Sequence, residues 1–189
     1  MTTIAVVYHS GYGHTAKQAE AVAAGVREGG AEALLIKAED APAQWDVLAK
    51  VDGIIFGAPT YMGSLSAKFK EFMDASSKVW FSGGWKNKIA AGFTNSGSMS
   101  GDKLSSLIQL AVFGAQHGMI WVGVDLMPGN NSSKGSPEDL NRLGSTLGAM
   151  AQSNTDAPPE VAPPKSDLLT AQYLGKRVAS IAARFGKAD

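Results

Sequence analysis

Short apolar runs and longer amphipathic stretches alternate along this chain. Ile4-Ala-Val-Val-Tyr8 is a compact run rich in β-branched residues, and Thr15 to Arg27 follows with alanines and valines set between Lys17, Gln18, Glu20 and Arg27 before Gly29-Gly30. The spacing predicts a buried strand and then a helix stopped by glycine. Ala31 to Lys37, centred on Leu34-Leu35-Ile36, predicts a second strand; Glu39-Asp40-Ala-Pro42 ends it, and a short helix is expected around Ala43 to Lys50. Asp52-Gly-Ile-Ile-Phe-Gly-Ala-Pro-Thr60 predicts a third strand, because its apolar run gives way to small residues and a proline. Ser64 or Ser66 can cap the next helix, where Phe69, Phe72 and Met73 share one face. Ile89 to Thr94 predicts a fourth strand, Leu104, Leu107, Ile108 and Ala111 repeat at helical spacing, and Met119 to Val124 predicts a fifth strand.

The pattern loosens from Asp125 to Ser166, where Pro128-Gly-Asn-Asn-Ser-Ser and the pairs Pro158-Pro159 and Pro163-Pro164 interrupt any period. One helix is expected after it, with Leu174, Val178, Ile181 and Phe185 as its apolar stripe. The expectation is a single domain over residues 1–189 with an irregular excursion at about 125–166. Strand and helix alternate about five times, which predicts an α/β fold with a doubly wound, five-stranded parallel sheet covered by helices on both faces. Such sheets place ligands at the carboxyl ends of their strands.

Composition narrows the chemistry. Lys plus Arg equals Asp plus Glu at 17 each, so no strong field recruits nucleic acid or an acidic membrane. Without cysteine there is no disulfide, thiolate nucleophile or Cys-based metal site, and His9, His14 and His117 show no metal-ligand spacing. His9 and His117 read as structural hydrogen-bonding residues. No apolar stretch is long enough to span a bilayer, and no basic residue precedes the first apolar run; the expected location is the cytoplasm.

The loops after strands one, three and four are the richest in Gly, Ser and Thr. Ser10-Gly-Tyr-Gly-His-Thr15 leads from strand to helix, where free N–H groups and the hydroxyls of Ser10 and Thr15 can meet a dianion. An ordinary turn capped by Ser or Thr is the alternative for that stretch taken alone. The loop contains no lysine, and neither GxxxxGK[ST] nor GxGxxG occurs, so a nucleoside triphosphate and a Rossmann-type dinucleotide fit poorly. A phosphomonoester carrying a flat ring fits better, since Pro59-Thr-Tyr-Met-Gly63 and Asn95-Ser-Gly-Ser98 supply backbone donors and apolar walls. Flavin mononucleotide is the obvious candidate.

These motifs, taken in order with Ile54-Ile-Phe-Gly-Ala-Pro-Thr60 and His117-Gly-Met119, resemble the flavodoxin-like superfamily, and most of all the WrbA-type NAD(P)H:quinone oxidoreductases. The resemblance implies strand order 2-1-3-4-5, FMN as cofactor and NADH or NADPH as electron donor. It implies that Ser10, Tyr12, Gly13, His14 and Thr15 hold the phosphate. Thr60, Tyr61 and Met62 would line the ring, with Pro59 and Gly63 shaping the loop. Asn95, Ser96, Gly97 and Ser98 would meet the pyrimidine edge and ribityl chain, and Tyr12 and Trp80 would stack on nicotinamide or quinone.

The chain also departs from that family. Gln116-His117-Gly118 stands where a His-His-Gly is usual, leaving Gln116 to face the flavin without the option of a charge. Tyr61 replaces an arginine and Met62 a phenylalanine, Ser98-Met-Ser-Gly-Asp102 lacks the usual glycine run, and no Asp-Gly-x-Arg occurs in the late excursion. The implied activity is ping-pong hydride transfer from NAD(P)H to a small quinone-like acceptor, with no side chain acting as an essential acid or base and with a homodimer or homotetramer as the assembly. The rival is an electron-carrier flavodoxin; such carriers are typically strongly acidic, and the balanced charge here weighs against that role.

Overall fold

The computed structural model describes residues 1–186. Along the strands, alternate side chains go to opposite faces of one sheet, and this alternation builds two cores. In β1 (Thr3–Tyr8), Ile4 and Val6 face one core while Ala5 and Val7 face the other. The first core is closed by α1 (His14–Glu28) and α6 (Lys165–Phe185), through Ala19, Val22, Leu174 and Val178. The second is closed by α2 (Trp45–Lys50), α3 (Ala67–Ala75) and α5 (Lys103–Gln116), through Leu48, Phe69, Phe72, Leu107 and Leu110.

The parallel sheet contains β2 (Glu32–Lys37), β1, β3 (Gly53–Tyr61), β5 (Ile89–Ser96) and β6 (Ile120–Trp121) in that spatial order. Val6 sits between Leu35 on one side and Ile55 on the other. The expected order is therefore observed. Two short strands complete the sheet: β4 (Ser64–Leu65) folds back antiparallel on β3, and β7 (Ala149–Gln152) pairs with the upper half of β5 from Phe93 to Ser96. A further short helix, α4 (Ser77–Phe81), follows α3.

The fifth strand departs from expectation. Instead of one run over Met119 to Val124, β6 pairs only with Ile89 and Ala90, and β7 takes over higher up. The chain turns away after Val122, whose N–H still reaches Ala90; Val124 instead donates to Thr146 of the returning segment. Gly148 admits this exchange, because a Cβ there would stand 2.2 Å from the carbonyl oxygen of Gly92. The excursion expected to be irregular over 125–166 thus contains a strand of the main sheet.

Two helical faces are also corrected. In α5 the buried side is Lys103, Ser106, Leu107, Leu110 and Phe113, while Leu104 and Ile108 are exposed. Polar residues occupy the inner face because the loop before the helix turns its carbonyl and hydroxyl groups toward Lys103, and Thr60 of β3 donates to Ser106. In α6, Leu174 and Val178 are buried as expected but Phe185 is exposed; small residues, Ala171, Gly175, Ala179 and Ala182, fill the contact instead. They let α1 and α6 touch at backbone distance: a Cβ on Gly25 would lie 1.8 Å from the Gln172 carbonyl oxygen, and one on Gly175 would lie 2.0 Å from that of Val22.

Candidate functional site

The carboxyl ends of β1, β3, β5 and β7 deliver four loops to one side of the sheet, and they enclose a cavity of about 620 Å3. A more open, polar groove of about 560 Å3 adjoins it and shares Thr60, Ser96 and Gly97 with it.

At one end lies the turn into α1. Ser10 Oγ accepts hydrogen bonds from the N–H groups of Gly13 and Ala16, each at 3.1 Å, and Gly13 takes a left-handed conformation (φ 92°) that favours glycine. The N–H groups of Tyr12, His14 and Thr15 meet no protein acceptor among the described residues, so the helix start presents unpaired donors to the cavity. Among the described residues no Lys or Arg lines this space. The His14 side chain ties this turn to the segment after β7, with its Nε2 2.7 Å from the carbonyl oxygen of Ala157.

Pro59, Thr60 and Tyr61 form the second wall. Thr94 Oγ1 donates to the Ala58 carbonyl at 2.7 Å, and Thr60 Oγ1 lies 2.8 Å from Thr94 Oγ1 and 2.7 Å from Ser106 Oγ, which turns the Thr60 hydroxyl into the protein. The Tyr61 ring meets Tyr12 edge to face, with centroids 6.3 Å apart. Burial pushes the Tyr61 phenol pKa up, and Tyr12 adds to the shift, while a hydrogen bond with the Gly11 backbone opposes it. Tyr61 therefore remains a neutral hydrogen-bonding group at neutral pH. Met62, on the turn to β4, is fully exposed and borders the groove with Gly63.

The third wall is Asn95, Ser96 and Gly97, with Ser98 facing the groove. Asn95 Oδ1 accepts from Ser153 Oγ at 3.2 Å. Beneath this loop, the Lys103 ammonium donates to Ser96 Oγ (2.7 Å), the Ser98 carbonyl (2.8 Å) and the Met99 carbonyl (3.0 Å). Burial pushes its pKa down to about 8.

A fourth wall was invisible to motif reasoning. Ser153, Thr155, Asp156, Ala157, Pro158 and Pro159 close the cavity, and Pro159 packs against Gly13. The visible signal was the proline pair, read as a mere interruption; its meaning depends on β7 ending there. Lys103 was missed because a lysine within an amphipathic repeat reads as solvated.

Two of the expected residues lie elsewhere. Helices α3 and α5 run back from the cleft to the edge where the strands begin, so Trp80 on α4 and Gln116 at the end of α5 stand at the opposite end of the sheet. There Ser76 Oγ donates to the Met73 carbonyl and lies 2.9 Å from His117 Nε2, and the His117 ring packs at a tilt against Trp85 with centroids 4.4 Å apart. His117 is thus a buried structural residue, and Gln116 beside it is exposed. His9 is structural in the same sense, with Nδ1 2.8 Å from Ser66 Oγ.

Comparison with known proteins gives this geometry its context. Residues 36–131 match the family described as NADPH-dependent FMN reductase. The chain belongs to that family. As an FMN reductase family member it is an oxidoreductase of the flavodoxin-like fold, whose cofactors are FMN and a reduced nicotinamide nucleotide. It is 45% identical to flavodoxin FldP of Pseudomonas aeruginosa over 96% of this chain and 97% of that protein. It is 33% identical to an NAD(P)H dehydrogenase (quinone) of Archaeoglobus fulgidus, with 97% and 99% covered. Among solved structures, the flavodoxin, WrbA-like protein from Agrobacterium tumefaciens superposes with a TM-score of 0.76 at 39% identity, covering 97% of this chain and 99% of that one. No described helix is long and apolar enough to cross a membrane.

The family's cofactor can be tested against the residues present. Three unpaired N–H groups at a helix start suit a phosphate dianion that has no lysine to hold it. The apolar flank of Pro59 and Tyr61, facing the hydrogen-bonding groups of Asn95 to Gly97, suits a flat ring with one polar edge. The residues fit FMN.

Proposed function

We propose that this chain is an FMN-dependent NAD(P)H:quinone oxidoreductase, transferring a hydride from NADH or NADPH to a small quinone-like acceptor in a ping-pong sequence. The observation that carries the reading is the cleft itself, which joins an uncharged cradle of free N–H groups to an aromatic-sided slot open to solvent at Tyr12. FMN, when bound, supplies reversible two-electron acceptance and donation. The protein's part is to bind, orient and exclude water. Tyr12, His14 and Thr15 hold the phosphate end by their free backbone N–H groups, while Ser10 and Gly13 fix the turn that presents them. Pro59, Thr60, Tyr61, Met62 and Gly63 flank the ring, and Asn95, Ser96, Gly97 and Ser98 face its polar edge. Tyr12 offers an exposed aromatic surface on which nicotinamide and quinone stack in turn. No proton needs to be held or moved by a side chain for hydride transfer, so none is assigned as an acid or base.

Trp80 and Gln116 stand far from their own cleft, so a role for either requires a homodimer or homotetramer in which they meet the cleft of a neighbouring copy. Retention of full quinone reductase activity by a monomeric species would remove that part of the reading.

The electron-carrier alternative is favoured by the name of the 45% identical relative. One experiment separates the two: titration of purified protein with FMN and riboflavin, followed by NADH and NADPH oxidation with and without benzoquinone. Tight FMN binding with quinone-dependent turnover is expected. Binding with negligible turnover on either nucleotide would favour the carrier, and absence of flavin binding would overturn both. Ser10→Ala with Thr15→Ala should weaken FMN more than riboflavin; equal loss would mean that this turn does not hold the phosphate.

A further inference from the structure

Lys103 is fully buried, yet its ammonium has no carboxylate within ion-pair distance among the described residues. The acid that acts on it, Asp167, is already held by Arg142 through bonds of 2.7 and 2.9 Å. Its three hydrogen bonds all go to neutral oxygens of the 96–99 loop. Those oxygens satisfy the N–H groups but bring no opposite charge, and an uncompensated buried cation is costly to keep. The lysine is the first residue of α5, so the positive end of that helix dipole adds to the potential in the same place.

The position of the charge suggests its use. Ser96, which takes the shortest of the three bonds, lines both the cavity and the groove, and Gly97 and Ser98 beside it form the wall assigned to the polar edge of the ring. The ammonium is one hydrogen bond from this lining residue, whose hydroxyl donates in turn to the Ser98 carbonyl at 3.1 Å. Reduction by NAD(P)H brings two electrons and one proton to FMN as hydride and leaves NAD(P)+, so the group in the cleft becomes more negative by one charge.

We propose that Lys103 is the counter-charge for reduced FMN, a positioning residue that acts through Ser96 and the 96–99 loop to raise the reduction potential of the bound cofactor. The inference rests on the FMN reading above and deepens it, because a raised potential suits a protein that accepts hydride from a nicotinamide. A purely structural role would be to hold the loop in shape; that role would influence oxidised and reduced cofactor alike.

The test uses full-length protein loaded with FMN, comparing wild type with Lys103→Met, Lys103→Gln and Lys103→Arg. Oxidised FMN affinity is read by fluorescence titration and the two-electron midpoint potential by spectroelectrochemistry. Loss of the charge should weaken the reduced form relative to the oxidised form by about tenfold, a fall of about 30 mV in the midpoint of a two-electron couple. Lys103→Gln, which can still hydrogen-bond, should fall like Lys103→Met, and Lys103→Arg should retain most of the wild-type potential. If Lys103→Met does not fold, the Gln and Arg variants carry the comparison. Parallel loss of affinity for both redox forms with an unmoved potential would overturn the inference and leave Lys103 as a loop brace. Failure of the wild-type protein to bind FMN would overturn the functional reading, and this inference with it.

Discussion

Asp167→Ala removes the anchor of the wall that β7 contributes to the cleft. The Asp167 carboxylate accepts from Arg142 Nε at 2.7 Å, from Arg142 Nη2 at 2.9 Å and from the Gln152 N–H at 2.9 Å. Both side chains of the pair are nearly inaccessible, at 6% for Arg142 and 2% for Asp167. Removing one member of such a pair leaves the other buried and uncompensated, at a cost of about 3–5 kcal/mol. The Gln152 N–H also loses its partner, a penalty of about 1–3 kcal/mol that partly overlaps with the first because one carboxylate serves both. A loss of about 4 kcal/mol is therefore expected, a large share of the roughly 5–15 kcal/mol that holds an ordinary domain together. The double variant Arg142→Met/Asp167→Leu should lose less than Asp167→Ala, since it strands no charge. Urea unfolding at pH 7, followed by tryptophan fluorescence and circular dichroism on Arg142→Met, Asp167→Leu and their double variant, closes the double-mutant cycle. A loss below about 1 kcal/mol for Asp167→Ala would refute the reasoning, as would a double variant whose loss equals the sum of the singles. The same substitution should weaken FMN binding, because Gln152 Nε2 holds the Gly97 carbonyl at 2.8 Å.

Two further outcomes concern stability. Burial pushes the His117 pKa down to about 4, so between about pH 6.5 and pH 4 the unfolded chain takes up a proton that the folded chain refuses. Stability from this residue is complete above that window and falls as the pH falls through it, by about 3 kcal/mol in all; His117→Phe should flatten that part of a urea-midpoint profile, and an unchanged profile would refute the assignment. Gly175→Ala improves helix propensity by about 1 kcal/mol, yet the new Cβ would lie 2.0 Å from the Val22 carbonyl oxygen. The melting temperature should therefore fall by about 4–10 °C, and a rise would show that α1 and α6 can separate freely.

The apolar runs and their flanking glycines and prolines were enough to locate the first four strands and three of the four loops around the cleft, while the order of the parallel core followed from the family resemblance. These are local signals: a buried parallel strand must be apolar on both faces, and a loop that approaches a ligand closely must be small. Ser10, Thr60 and Asn95 were legible for that reason. The inner face of α5 was not, because Lys103 and Ser106 are polar and become buried only when the 96–99 loop turns its oxygens onto the lysine and Thr60 of β3 hydrogen-bonds to the serine. The divided edge strand and the wall from Ser153 to Pro159 were hidden as well, since both depend on residue 148 returning to residue 92 across a long stretch of irregular chain. Trp80 and Gln116 show the converse: motif order placed them at the cleft, and the direction of α3 and α5 carried them to the other end of the sheet. Periodicity records which side of an element is apolar; pairings between distant segments, and the burial of a charge that they make tolerable, arise only when the chain closes on itself.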